Sequence, residues 1–102
     1  MAESVQFKPY ASNVVNTASA LQVTAKFICG AHNLNAAAAQ TATVTITDAA
    51  SGAVLAVVPA LAIGAFWNPP LTGITVPSGS FIATPSAGPS GAGIAIFSQQ
   101  VG

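Results

Sequence analysis

The chain has 102 residues, of which 52% are hydrophobic and only four are charged: Glu3, Lys8, Lys26 and Asp48, with no arginine and zero net charge. A soluble domain normally carries roughly a quarter of its residues as Asp, Glu, Lys or Arg, so this surface is poorly protected against association. Two lysines cannot neutralise the phosphates that drive nucleic-acid binding, and acid/base catalysis lacks carboxylate partners for the single His32.

One compact domain is expected for this length, with an arm or edge strand over residues 1–18 and a body over 19–102. Alanine supplies 22 residues, so the large apolar groups that stabilise by roughly 1.5 to 3 kcal/mol each on burial are limited in number. Oligomerisation enlarges such a core. The start MAESVQFKPY has neither the basic nor the apolar region of a secretory signal, and export by the general pathway is not expected. A lone Cys29 excludes an intramolecular disulfide framework.

In chain order, residues 1–18 carry Val5, Phe7, Pro9, Tyr10, Val14 and Val15, suited to an edge strand plus an arm that reaches a neighbour. Leu21 to Cys29 has apolar residues at odd positions and Gln22, Thr24 and Lys26 between them, the period of a half-buried strand. Ile28 breaks the pattern, as a residue entering a second interface does. Gly30-Ala31-His32-Asn33 reads as a loop, and Asn35 to Gln40 as one helical turn or more loop.

Thr41 to Thr47 alternates threonine with apolar residues, a strand with an uncharged outer face. Asp48-Ala49-Ala50-Ser51-Gly52 has an aspartate to open a turn and a glycine for positive φ, so Ala53 to Val58 is expected to return antiparallel as a hairpin. Ala62 to Trp67 is punctuated by Gly64 and stopped by Asn68-Pro69-Pro70. Leu71 to Val76, Ser80 to Thr84 and Gly93 to Gln99 complete a series of short strands at roughly ten-residue spacing, which predicts an all-β antiparallel β-sandwich of jelly-roll type with an N-terminal arm. Ala49 to Trp67 is long enough for a bilayer helix, but Pro59, Gly52 and Gly64 and the absence of flanking Lys or Arg argue against a span.

Few residues offer chemistry. Cys29 and His32 have the spacing of half a zinc site, yet no further Cys or His exists to complete four ligands. They read as a core thiol beside a loop histidine. There is no G-x-S-x-G elbow, and Ser90-Gly91-Ala92-Gly93 lacks the lysine and helix of a phosphate cradle. No cofactor and no enzymatic activity are expected.

Phe66-Trp67-Asn68-Pro69-Pro70-Leu71 is the segment with binding character, an aromatic pair running into a rigid diproline. Trp is enriched at interface hot spots and also stacks on sugar rings. The alternative is that Phe66 and Trp67 lie on opposite faces of one strand and the larger closes the core. With the Val5, Phe7 and Tyr10 arm, these residues form the candidate protein interface: Val5, Phe7, Tyr10, Phe66, Trp67, Pro69, Pro70 and Leu71.

Phe27-Ile28-Cys29-Gly30 with the polar loop after it, the Thr-rich strand to Thr47, Val54-Leu55-Ala56-Val57-Val58-Pro59, Gly73-Ile74-Thr75-Val76 and Gly79-Ser80-Phe81-Ile82-Ala83-Thr84 follow one another in an order that resembles small β-sandwich structural proteins of tailed bacteriophages. The resemblance spans roughly residues 20–99, rests on spacing and strand edges, and carries over no functional residue. It implies a virion component, made in the host cytoplasm. The expected function is a capsid decoration or cement protein on the head surface, binding the major capsid protein or other virion proteins as a homo-oligomer, with a trimer expected. Burying uncharged surface there incurs little ion desolvation. The alternative is a tail or fibre-associated module that binds a host glycan or receptor. Neither nucleic acid nor membrane is an expected partner.

Overall fold

The computed structural model describes residues 10–69 and 73–100, and within them the chain is all-β. Nine strands form two antiparallel sheets: β1 (Tyr10–Val15), β2 (Leu21–Thr24), β3 (Phe27–Asn33), β4 (Val44–Asp48), β5 (Val54–Val58), β6 (Phe66–Trp67), β7 (Ile74–Thr75), β8 (Ser80–Pro85) and β9 (Ile94–Gln99). The first sheet has the order β1-β9-β3-β6, with β7 also paired to β3, and the second has the order β2-β8-β4-β5. β6 and β7 pair with opposite ends of β3. Counted as one interrupted strand, they complete the interlocked order of an eight-stranded jelly roll.

The period-two pattern explains the layers. Val44, Ile46, Val58, Phe81, Ile94, Ile96 and Ile28 point into the space between the sheets and are fully buried, each stabilising by about 1.5 to 3 kcal/mol. Thr43, Thr45 and Thr47 alternate with them and face outward. The expected hairpin is present, with β4 and β5 paired antiparallel from Val44 against Val58 to Thr47 against Val54. In its turn Gly52 adopts φ 77°, a left-handed conformation that glycine enters without a Cβ clash.

Where the structure departs from sequence-based expectation, tertiary pairing is the cause. Leu21 to Cys29 is two strands, because the chain changes sheets at Ala25 and Lys26. Ala25 N–H donates to Gly79 C=O at 3.0 Å in the second sheet, while Lys26 N–H donates to Gln99 C=O at 2.8 Å in the first. Ile28 is therefore core rather than a second interface, and a register shift between Ile28 and Gly30 resets the alternation. Gly30 to Asn33 is strand, not loop, since β9 and β6 pair with it from both sides. Ala62 to Ala65 turns, closed by Ala65 N–H to Ala62 C=O at 3.0 Å, so only Phe66 and Trp67 of that segment are strand. Of Leu71 to Val76, Ile74 and Thr75 form β7, and residues 71 and 72 lie outside the described residues.

Asn35 to Gln40 forms no helix. Asn35 Oδ1 instead accepts from Ala37 N–H at 2.9 Å and Ala38 N–H at 3.1 Å, a side-chain turn that competes with helical bonding. No helix of the described residues is long and apolar enough to cross a membrane, and within Ala49 to Trp67 lie β5, β6 and their connecting loop.

Candidate functional site

The outer face of the first sheet gathers side chains that the linear sequence scatters. Strand register aligns Val14, Ala95, His32 and Phe66 in one row across β1, β9, β3 and β6. The next row contains Ser12, Phe97 and Gly30, and the third aligns Gln99, Phe27 and Thr75. Three of the four described phenylalanines therefore lie on this outer face, and only Phe81 is in the core.

Phe66 is the most exposed large ring, 63% accessible, and it stacks on His32 with centroids 4.0 Å apart and planes 5° from parallel. Stacking holds an otherwise free aromatic in one orientation, which lowers the entropy lost when a partner covers it. Ile63 is also exposed on the loop leading into β6. Together they form an apolar ridge at one end of the sandwich.

A buried amide network fixes that ridge. Asn33, with no exposed surface, donates from Nδ2 to the carbonyls of Ala62 at 2.9 Å and Leu61 at 3.3 Å, and its backbone N–H donates to Ala65 C=O at 2.9 Å. Its Oδ1 accepts from Asn35 N–H at 2.9 Å and Gln40 Nε2 at 3.0 Å. Gln40 Oε1 accepts from Ser90 N–H at 2.8 Å. Three loops are thus pinned by one satisfied network, the condition under which buried polar groups rigidify rather than destabilise. At Gly30 a Cβ would lie 2.7 Å from the carbonyl of Trp67, so only glycine lets β6 approach this closely.

The electrostatics are sparse. Asp48 is buried at the hairpin turn, where Oδ1 accepts from Ser78 N–H at 3.0 Å and Oδ2 from Ser51 N–H at 3.1 Å and Ser51 Oγ at 3.2 Å. These donors, the Ser78 amide first, hold its pKa down at about 2. Its carboxylate is consumed in shaping a turn. Burial pushes the Cys29 thiol above its ordinary value, the opposite of nucleophile activation. Among the described residues no three His, Cys, Asp or Glu side chains gather as metal ligands do.

The expected interface residues separate in space. Phe66 faces outward, whereas Trp67 is half-buried against the core and Pro69 is buried. The two aromatics thus lie on opposite faces of β6, with the larger closing the core. Tyr10 begins β1, opposite Gln99. Val5, Phe7, Pro70 and Leu71 lie outside the described residues. Sequence reasoning placed Val14 in the neighbour-reaching arm without counting it among the interface residues, and it missed Ile63, Val54 and Val57, all exposed. The doublets Val14-Val15 and Val57-Val58 were the available signal, since adjacent apolar residues in a strand cannot both face the core.

Comparison of the chain with protein-family models, with characterised proteins and with solved structures gives no match.

Proposed function

We propose that this chain is a non-enzymatic structural protein of a tailed-phage virion that decorates or cements the head. The observation that carries the reading is the pairing of a nearly charge-free sequence with exposed large apolar side chains, Val14, Val54, Val57, Ile63 and Phe66, on a rigid jelly roll. Covering such a surface with protein gains hydrophobic free energy at roughly 25 cal/mol per Å² of apolar area and desolvates almost no ions. The resemblance in strand order to small phage structural proteins adds the virion context. Its partners are then the major capsid protein or neighbouring virion chains.

The test is to purify virions that encode this chain, quantify its copies against the major capsid protein, and add labelled chain to particles lacking it. Hundreds of copies and saturable binding to heads support the proposal. A few copies confined to tails, with binding to host polysaccharide that Phe66→Ala abolishes, would instead establish a glycan-binding tail module.

A further inference from the structure

Imidazole is the side-chain type whose charge changes between about pH 5 and 8, and the chain has a single histidine. The fold seats that residue, half-buried, directly against the most exposed ring of the outer face. The planes of His32 and Phe66 are 5° from parallel, with centroids 4.0 Å apart. A charge on His32 is therefore a charge within the apolar ridge.

The elements packed around it supply no counter-charge among the described residues. β9 presents Ala95 directly opposite and Phe97 on the next row, β6 presents Phe66, and Val14 of β1 completes the row beyond β9. On β3 itself the Cys29 thiol stays protonated over this range, because burial pushes its pKa up. Lys26 immediately precedes β3 and lies about 20 Å from His32 at roughly 3.3 Å per residue of strand, beyond the screening length of about 8 to 10 Å at physiological salt. Asp48 belongs to the second sheet, where its carboxylate accepts from Ser51 and Ser78. Glu3 and Lys8 lie outside the described residues.

We propose that His32 makes docking through the Phe66 ridge pH-dependent, the neutral imidazole being competent to bind and the imidazolium not. The inference rests on the reading that this ridge binds a neighbouring virion protein. In the free chain a half-buried imidazolium keeps water on its open side. A partner that covers Phe66 removes that water, and the surrounding strands offer no anion in exchange. An ion covered without a partner costs far more than a covered neutral ring. Attraction between the imidazolium and the face of Phe66 does not offset this, because the stack is present before and after docking and cancels from the difference. Acidification is thus a release signal built into the sheet.

In the experiment, labelled full-length chain is added to heads that lack it at about pH 8 and about pH 5. Wild-type affinity should fall by roughly tenfold or more at the lower pH, with the far-UV circular dichroism of the chain unchanged. His32→Phe, which keeps an uncharged ring in the stack, should bind equally at both, and His32→Gln should do the same where the Phe variant fails to fold. His32→Arg, charged throughout, should bind weakly at both. In the isolated chain, proton NMR should show the Phe66 ring resonances moving with those of His32 in one common titration. Equal wild-type affinity at the two pH values, tighter binding in acid, a loss that persists in the neutral variants, a loss of β signal at the lower pH, or Phe66 resonances that ignore His32 overturns the inference alone. Absence of binding to heads at either pH overturns the reading beneath it, and the inference with it.

Discussion

At Asp48 one carboxylate organises the β4–β5 turn, and the sign of its pH dependence is fixed by its environment. The folded pKa, about 2, is below the ordinary 3.8, so the unfolded state takes up a proton first as the solution is acidified. The stability that Asp48 contributes is fully present above the ordinary value and is lost as pH falls through about 2. Asp48→Asn should lower the melting temperature at neutral pH and flatten its decline over that acidic interval, which thermal denaturation across a pH series measures. At Asn33 the cost of truncation comes from groups left behind. Asn33→Ala strips partners from Gln40 Nε2, the Asn35 amide and the Ala62 carbonyl, at about 1 to 3 kcal/mol for each buried group that stays unpaired. A loss on the order of 3 kcal/mol in denaturant unfolding is expected.

Phe66 and Trp67 are adjacent yet should respond oppositely to truncation. Trp67→Ala removes a ring packed on the core and should destabilise the fold by about 2 to 4 kcal/mol, toward the lower side of large-to-small core substitutions because the residue is only half-buried. Phe66→Ala should leave the melting temperature within a degree or two, since its ring is mostly exposed, while weakening particle binding by on the order of 2 kcal/mol. Equal loss of stability in both variants would remove Phe66 from the interface.

Among the elements, the β3–β6 pairing is the most exacting. Gly30→Ala drives a methyl group to 2.7 Å from the Trp67 carbonyl, and both partners there are backbone that cannot rotate away. The expected outcome is detachment of β6, read as loss of amide-exchange protection at Phe66 and Trp67 and as weakened particle binding, with β4 and β5 unaffected. Elements whose partners are close in sequence were legible in advance. The β4–β5 hairpin needs only Asp48, Gly52 and the alternation on either side. β3 was not legible at its C-terminal half, because Gly30, Ala31, His32 and Asn33 have turn-like composition and become strand through pairing with residues 66–67 and 94–97.

For the whole molecule, nearly every pairing is distant in sequence, β1 with β9 above all. Loop closure on that scale precedes any reward from contact, so folding should take milliseconds to seconds, the range of all-β sandwiches, as stopped-flow refolding would report. Association should depend only weakly on salt, because screening acts on charge pairs and this chain offers few. A steep fall in binding between low and moderate ionic strength would place the binding energy in a partner's charges.

Composition and periodicity by themselves determined that the chain is all-β, that its outer surfaces are nearly uncharged, and that Val44 and Ile46 point inward, since the alternation with threonine is a local matter. Only the tertiary structure decided the corner at Ala25 and Lys26, the assignment of Asn33, Asn35 and Gln40 to one buried network, and which of Phe66 and Trp67 faces outward. A two-residue strand has no periodicity of its own. Its facing is set by the strand it pairs with, and His32, thirty-four residues earlier in the chain, holds Phe66 on the outside.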